Sequence, residues 1–257
     1  MGGGQRPGEG VGNGKAICAR FAEEGASVFI VARHIESAKR TLSFIDERHR
    51  GRCAVFEGDV SKEDDVKNAF RACFERYGKI DALVNNVGVF DGDAAFMDFD
   101  MAHFEEAMEI TASGAIYCFR HIYPYMKDRG GSVVQISSIG GSTIGRHGRF
   151  SYAASKHMMT YLGQNAAATF AGAGIRVNNI LLGYVTTPLV IEPMVEAGKT
   201  REEAIAARDR LVPLKGGCGD AWDTANAALF LVSDEAKFIT GANLPVDGGS
   251  LVCGGRC

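Results

Sequence analysis

The sequence has no surplus of positive charge: Lys and Arg number 28 against 31 Asp and Glu, for a formal net charge of -3. Nucleic acids and anionic membrane surfaces select a basic face, so neither is an expected partner. No uncharged apolar run approaches the ~20 residues that cross a bilayer, and the start carries no signal-peptide pattern. No Pro/Ser-rich linker divides the chain, and no internal repeat recurs along it. The seven cysteines are odd in number and scattered without paired metal-ligand spacing. They read as reduced thiols in a cytoplasmic protein, and they offer no metal site. Cys253 and Cys257, flanking Gly-Gly-Arg at the tail, read as free thiols on a mobile end rather than a redox pair. What remains is a chain of 257 residues, 46% hydrophobic, with ample apolar content for one α/β domain over residues 1–257.

Glycine is plentiful, and much of it stands at the start. Gly2, Gly3 and Gly4, then Gly8, Gly10, Gly12, Asn13 and Gly14, pass directly into a segment with Ile17 and Phe21 at helical spacing and Gly25 at its stop. A disordered leader has a similar composition. The direct junction with an amphipathic helix favours a phosphate loop, in which glycines let the backbone approach a pyrophosphate at a helix N-terminus.

Beyond this loop, short apolar runs alternate with helical patterns. Strands are expected at residues 27–32, 53–57, 80–84, 132–136, 175–181 and 243–246. Helices are expected around residues 38–45, from a capping pair Ser61 and Asp64 through Tyr77 to a stop at Gly78, and at 102–126, 152–170 and 222–233. Residues 183–219 read as a flexible region. Steady alternation predicts a parallel sheet with helices on both faces, a doubly wound, Rossmann-like α/β fold. In such a sheet ligands sit at the carboxyl ends of strands, where Asp59-Val60 and Asn85-Asn86-Val87-Gly88 fall. After the strand at 27–32 comes Arg33 with no acid in the strand, and a cation there suits a 2′-phosphate. NADP(H) is therefore favoured over NAD(H), which stays possible.

The strand at 132–136 ends in Ser137-Ser138, and Tyr152 and Lys156 follow at a spacing that puts them on one helix face. An ammonium near a phenol favours the phenolate, so Lys156 is expected to draw the Tyr152 pKa down from near 10 and fit it for acid–base work. A surface Tyr with a solvated Lys has the same spacing, and Ser138 has the alternative of satisfying loop backbone.

Taken together, Ser138, Tyr152-x-x-x-Lys156, Asn85-Asn86-x-Gly88, Asp59-Val60, Arg176-Val177-Asn178 and Asp247-Gly248-Gly249 resemble the compact single-domain short-chain dehydrogenase/reductases, in order and over essentially the whole chain. The resemblance implies reversible hydride transfer between a nicotinamide cofactor and an alcohol/ketone pair. In it Tyr152 is acid and base, Lys156 binds the nicotinamide ribose, and Ser138, rather than the competing Ser137, holds the substrate oxygen. It also implies Asp59 and Val60 at the adenine, residues 85–88 along the cofactor, and the segment of Gly183, Val185 and Thr187 on its nicotinamide or phosphate side. A homodimer or homotetramer through the helices at 102–126 and 152–170 is implied as well.

The sequence departs from the family pattern at four points. Thr111 stands where the family has a catalytic Asn, and Leu182-Gly183 replaces Pro-Gly. The glycine loop fits either through Gly8, Gly12 and Gly14 or, preferred here, through Gly2, Gly4, Gly12 and Gly14 with an insertion. Met1 stands where the residue after the first strand belongs, so that strand is absent, and a natural chain longer by about one strand, or a truncated one, is expected. The alternative to an enzyme is a non-catalytic nucleotide-binding or assembly protein on the same fold. For the substrate, Phe90, Phe96, Met97, Ile144, Phe150, Tyr184, Val190, Ile191 and Met194 are candidate apolar lining. Arg146, His147 and Arg149 are candidates for a polar or anionic group, and ordinary packing or a solvated turn is the alternative for each set.

Overall fold

The computed structural model describes residues 1–89, 92–143 and 148–253. Its elements alternate: α1 (Asn13–Glu23), β1 (Phe29–Ala32), α2 (Ile35–Phe44), the single turn α3 (Glu47–Arg50), β2 (Ala54–Glu57), α4 (Glu63–Tyr77) and β3 (Ala82–Asn85). Then come α5 (Met101–Met108), α6 (Gly114–Met126), β4 (Gly131–Ser138), α7 (Phe150–Phe170), β5 (Ile175–Leu182), α8 (Pro188–Glu196), α9 (Arg201–Asp209), α10 (Ala221–Val232) and β6 (Asn243–Val246). All strand pairs are parallel, β1 with β2 and then β3, β4, β5 and β6 in that order.

The eight residues of β4 run buried almost throughout, as a strand covered on both faces must. On one face Phe70, Ile122, Met126, Met159 and Phe170, from α4, α6 and α7, close over Val133 and Val177. On the other, Ile17 of α1 and Ala225, Ala228 and Leu231 of α10 cover Val134, Ile136 and Ile180. The architecture is the doubly wound α/β fold expected from the alternation.

Among the described residues no strand lies between β1 and β3. Residues 1–3 cross that gap and bond to both edges. The Met1 amino group donates to the Val84 carbonyl at 2.9 Å, Asn86 N–H donates to Met1 O at 3.1 Å, and Gly3 N–H donates to Val31 O at 2.9 Å. Alongside them lies a cleft of about 410 Å³, lined by Ile17, Cys18, Phe21, Phe70 and Cys73 among others.

Three expectations are corrected. Ser61 does not cap α4: its N–H and hydroxyl both bond to Asp59 Oδ1, and the helix starts after Lys62 with no side-chain cap. The helix expected at 102–126 is interrupted by a π turn, Glu109–Ser113, between α5 and α6. Residues 183–219, read as flexible, contain two helices. Pro188 opens α8 at a position where its missing N–H costs nothing, and a capping box of Thr200 and Glu203 opens α9. Among the described residues no helix is long and apolar enough to cross a membrane.

Candidate active site

The carboxyl ends of β3, β4 and β5 converge on the first turn of α7. Ser137 and Ser138 end β4 with opposite fates, because successive side chains of a strand point to opposite faces. Ser137 Oγ donates to Lys156 O at 3.0 Å and shares a hydrogen bond of 2.7 Å with Thr160, so it is spent inside the core. Ser138 Oγ accepts from Gly140 N–H at 3.0 Å and bonds to Leu182 O at 3.4 Å, and its hydroxyl lies close enough to the Tyr152 phenol to work against the rise of that group's pKa. It satisfies a loop backbone and meets the tyrosine at once.

Lys156 is buried directly behind. Its Nζ donates to Val87 O at 2.6 Å and to Ile136 O at 2.7 Å, and stands 5.9 Å from the Tyr152 ring centroid. Burial alone pulls its pKa down to about 7. The expectation that Lys156 lowers the Tyr152 pKa is corrected by this placement. Desolvation raises the phenol above its ordinary 10, and the groups that work against the rise are the Ser138 hydroxyl and the Arg149 guanidinium. Arg149, expected to face a substrate, is thus an electrostatic neighbour of the tyrosine. The ammonium is turned to two strand-end carbonyls instead.

Thr111 lies in the π turn, which packs against α7. Its hydroxyl is fully buried and without a hydrogen-bond partner, as are both amide atoms of Asn85. Single π turns inside α-helices recur at functional sites, because the extra residue redirects a side chain. Gly88 keeps the space above Lys156 clear: a Cβ there would come within 3.1 Å of Nζ.

The glycine loop sits on the same rim. Gly2 has φ +70° and its missing side chain leaves room for Asn86 O, while Asn86 Nδ2 donates to Gly2 O at 3.0 Å. Gly14 packs backbone to backbone on Gly2, and Gly4 lies beside Ser37 and Ala32 at the end of β1. Gly12 precedes α1, its N–H held by Gln5 Oε1 at 2.7 Å, and Asn13 opens the helix and bonds Thr224. Arg33 is exposed just beyond β1. The Asp59 carboxylate is occupied by Ser61, and Val60 is buried against Gly114. On the far side Gly183 packs against Asp247, Val185 bridges to Gly219, and the buried Thr187 precedes α8.

Sequence reasoning placed Asn86 in the turn along the cofactor but not in its tie to the glycine loop, and it missed Asp93, whose carboxylate accepts from the N–H groups of Ser151 and Tyr152 at 3.1 and 2.7 Å. The Asn-Asn pair was visible; nothing local marked Asp93. Among the candidate substrate residues, Phe90, Ile144, Arg146 and His147 fall outside the described residues. Phe96 and Phe150 meet edge to face with ring centroids 4.9 Å apart, Ile191 is core, and Met97 is exposed. Tyr184 carries the Arg208 guanidinium over its ring, and Val190 and Met194 are half-buried on α8.

These residues fit a nicotinamide dinucleotide: a glycine-lined helix N-terminus suits a pyrophosphate, and the unpartnered hydroxyl and amide await polar ligands beside a buried ammonium. Known proteins agree. A family model described as enoyl-(acyl carrier protein) reductase matches residues 9–250. Short-chain dehydrogenase reductase 3c of Arabidopsis thaliana is 33% identical over 243 residues, covering 94% of this chain and 91% of its own. A Burkholderia xenovorans protein designated a short-chain dehydrogenase/reductase superposes with a TM-score of 0.90 at 35% identity, over 98% of this chain and 94% of that one. The NADP-bound structure of ElxO gives 0.86 at 26% identity, over 98% and 97%. The chain belongs to the short-chain dehydrogenase/reductases and is an NAD(P)-dependent oxidoreductase.

Proposed function

We propose that the protein transfers a hydride between NADP(H) and an alcohol/ketone pair, with Tyr152 moving the proton. The observation that carries this reading is the convergence of the Ser138 hydroxyl, the Tyr152 phenol and the buried Lys156 ammonium, whose Nζ stands 5.9 Å from the Tyr152 ring centroid. The bound nicotinamide supplies or accepts the hydride. Ser138 and Tyr152 present two hydroxyls to one substrate oxygen; in reduction Tyr152 donates its proton to that oxygen as negative charge grows on it, and in oxidation it takes the proton back. The high phenol pKa keeps Tyr152 protonated at neutral pH, which suits the reductive direction. Lys156 offers its ammonium to the ribose hydroxyls, and Thr111 offers its buried hydroxyl to a proton path behind the tyrosine. NADP(H) is favoured because Arg33 is exposed where a 2′-phosphate would lie, and a neighbour of the same fold is known with NADP bound. The fold's outer helices favour a homodimer or homotetramer.

The test is NADPH oxidation against a panel of ketones, and NADP reduction with the matching alcohols. Removing a general acid costs about 10²- to 10⁴-fold, so Tyr152→Phe should lose turnover to that extent with melting unchanged. In the same assays Arg33→Ala should weaken NADPH by about ten- to a hundred-fold and leave NADH alone. Near-normal rates in Tyr152→Phe would sink the mechanism, and equal losses for both cofactors would remove Arg33 from the phosphate site.

A further inference from the structure

An α-helix leaves its first N–H groups without acceptors inside the helix, and something must satisfy them where they are buried. In α7 the first intrahelical bond is from Ala153 N–H to Arg149 O, so the open donors are Phe150, Ser151 and Tyr152. The sequence around the helix start supplies nothing for them: Arg149 makes no side-chain cap, and the first turn holds no acid. All three find acceptors in one dipeptide far away in the chain. Phe150 N–H donates to Ala94 O at 2.9 Å, Ser151 N–H to Asp93 Oδ1 at 3.1 Å, and Tyr152 N–H to Asp93 Oδ2 at 2.7 Å. Asp93 Oδ1 also accepts from Ala94 N–H at 2.9 Å, which fixes the carboxylate's own orientation.

We propose that Asp93 is a positioning residue for Tyr152, holding the catalytic end of α7 so that the phenol meets Ser138. The inference rests on the role given to Tyr152 above. Three features separate it from an ordinary helix cap. The acceptor is a carboxylate with both oxygens used, so the bonds are charge-assisted and directional, and the negative charge lies at the positive end of the helix dipole. The shortest of the three bonds is the one to Tyr152 itself. The same loop also grips the turn from its apolar side, with Phe96 and Phe99 at 4.9 and 4.8 Å from the Phe150 ring. A loop that leads from β3 to α5 thus fixes the backbone that carries the acid–base residue.

The groups facing the phenol decide what its displacement does. They are the Ser138 hydroxyl and the Arg149 guanidinium, both lowering the phenol pKa, with the Lys156 ammonium beneath the ring. If the first turn of α7 loosens, the phenol moves away from the Ser138 hydroxyl and the Arg149 guanidinium while the burial remains. The phenol then titrates higher, and alcohol oxidation, which needs the base form, moves to higher pH.

The experiment uses the full chain with Asp93→Ala, Asp93→Asn and, as background for each, the same chain with Tyr152→Phe. Spectrophotometric titration, taken as the difference between each protein and its Tyr152→Phe counterpart, isolates the Tyr152 phenol without requiring turnover. Loss of one polar influence of ordinary hydrogen-bond strength corresponds to about one pH unit, and Asp93→Ala should move the midpoint up by that much. Turnover of cyclohexanone with NADPH should fall about ten-fold, since an ångström of misplacement in the acid weakens proton transfer, while the KM for NADPH stays within about two-fold because α7's cofactor contact at Lys156 lies a turn further on. Asp93→Asn, which keeps one acceptor oxygen, should recover most of both. An unmoved titration midpoint in Asp93→Ala makes Asp93 a cap and nothing more, and overturns the proposal. Retained turnover in Tyr152→Phe overturns the catalytic reading instead, and the titration still decides on Asp93.

Discussion

Burying an ammonium makes Lys156 the residue through which pH acts most directly on this protein. Its pKa lies at about 7 in the fold and near 10.5 in an open chain. Below pH 7 both states carry the charge, and the cost of burying it is felt in full. Between about 7 and 10.5 the unfolded chain binds a proton that the folded chain does not, so stability rises with pH there, by about 1.4 kcal/mol per unit. The buried thiols of Cys18 and Cys118, pushed up to about 12, act oppositely above 9, where the unfolded chain sheds protons that the fold retains. The window for Lys156 is therefore pH 7 to 9. Denaturant unfolding should show the natural chain gaining about 2 to 3 kcal/mol relative to Lys156→Met across it. Parallel profiles would mean that the Val87 and Ile136 carbonyls hold the ammonium charged throughout. Spacing showed that Tyr152 and Lys156 share a helix face, and the family resemblance, rather than any local pattern, chose Ser138 over Ser137. The electrostatics were not legible, because four-residue spacing does not say whether the ammonium turns to the phenol or to a strand-end carbonyl. Asp93 was hidden for a related reason: its partners lie 58 and 59 positions away, and an aspartate in a loop carries no local mark of them.

At the scale of elements, the glycine loop and α8 form one ionic assembly. Arg6 pairs with Glu196 at 3.0 Å, Arg201 of α9 with Glu9 at 3.2 Å and with Glu192 at 2.6 Å, and Glu9 N–H donates to Glu192 Oε1 at 3.0 Å. Gln5 holds the other end through Ser37 of α2 and through Gly12 N–H. The inserted segment is thereby tied across the rim on which the cofactor is proposed to lie. Surface pairs contribute about 0.2 to 1 kcal/mol each, and the central Arg201–Glu192 pair is part-buried at the rim, so releasing it should be visible without unfolding anything. Glu192→Gln should raise the Kd for NADPH by about two- to five-fold with the melting temperature unchanged, measured by cofactor fluorescence at low salt. An unchanged Kd would show that the tether does not shape the phosphate loop. The strands and most helices were readable from a clear apolar period, helped at α1 and α4 by the glycines Gly25 and Gly78 that follow them. Residues 183–219 misled because Pro188, Pro193 and Gly198 resemble loop punctuation; Thr200 and Glu203, three apart, were the capping signal that outweighs them. The π turn at Thr111 has no sequence signature, since one inserted residue leaves the apolar pattern on either side intact.

At the scale of the whole molecule, α7 keeps an apolar outer face that the described residues leave open. Its apolar residues run round the entire helix instead of along one stripe, and a helix of that kind is covered on all sides. One side is: Met159, Ala166, Ala167 and Phe170 are buried in the core, with Ser155, Thr160 and Gly163 packed on the same side. The other side keeps Met158 39% and Tyr161 59% exposed, and with Phe104, Met108, Ala154 and His157 these line an open apolar hollow of about 370 Å³ between α5 and α7. A second copy related by a two-fold axis would set the same surface against itself, which is the commonest way for identical chains to close such a face. Small residues along α7 let the partner helix come near, and a stable contact of this kind covers about 1,200 to 2,000 Å² in total. Light scattering at micromolar concentration should therefore give at least twice the 27.5 kDa mass of the chain. Tyr161→Glu, which places a charge in the middle of the covered face, should shift the protein towards the monomer with its helical content intact. A natural chain that scatters as a monomer would show that α7 tolerates an apolar outer face in water, and the assembly through α5 and α7 would be wrong.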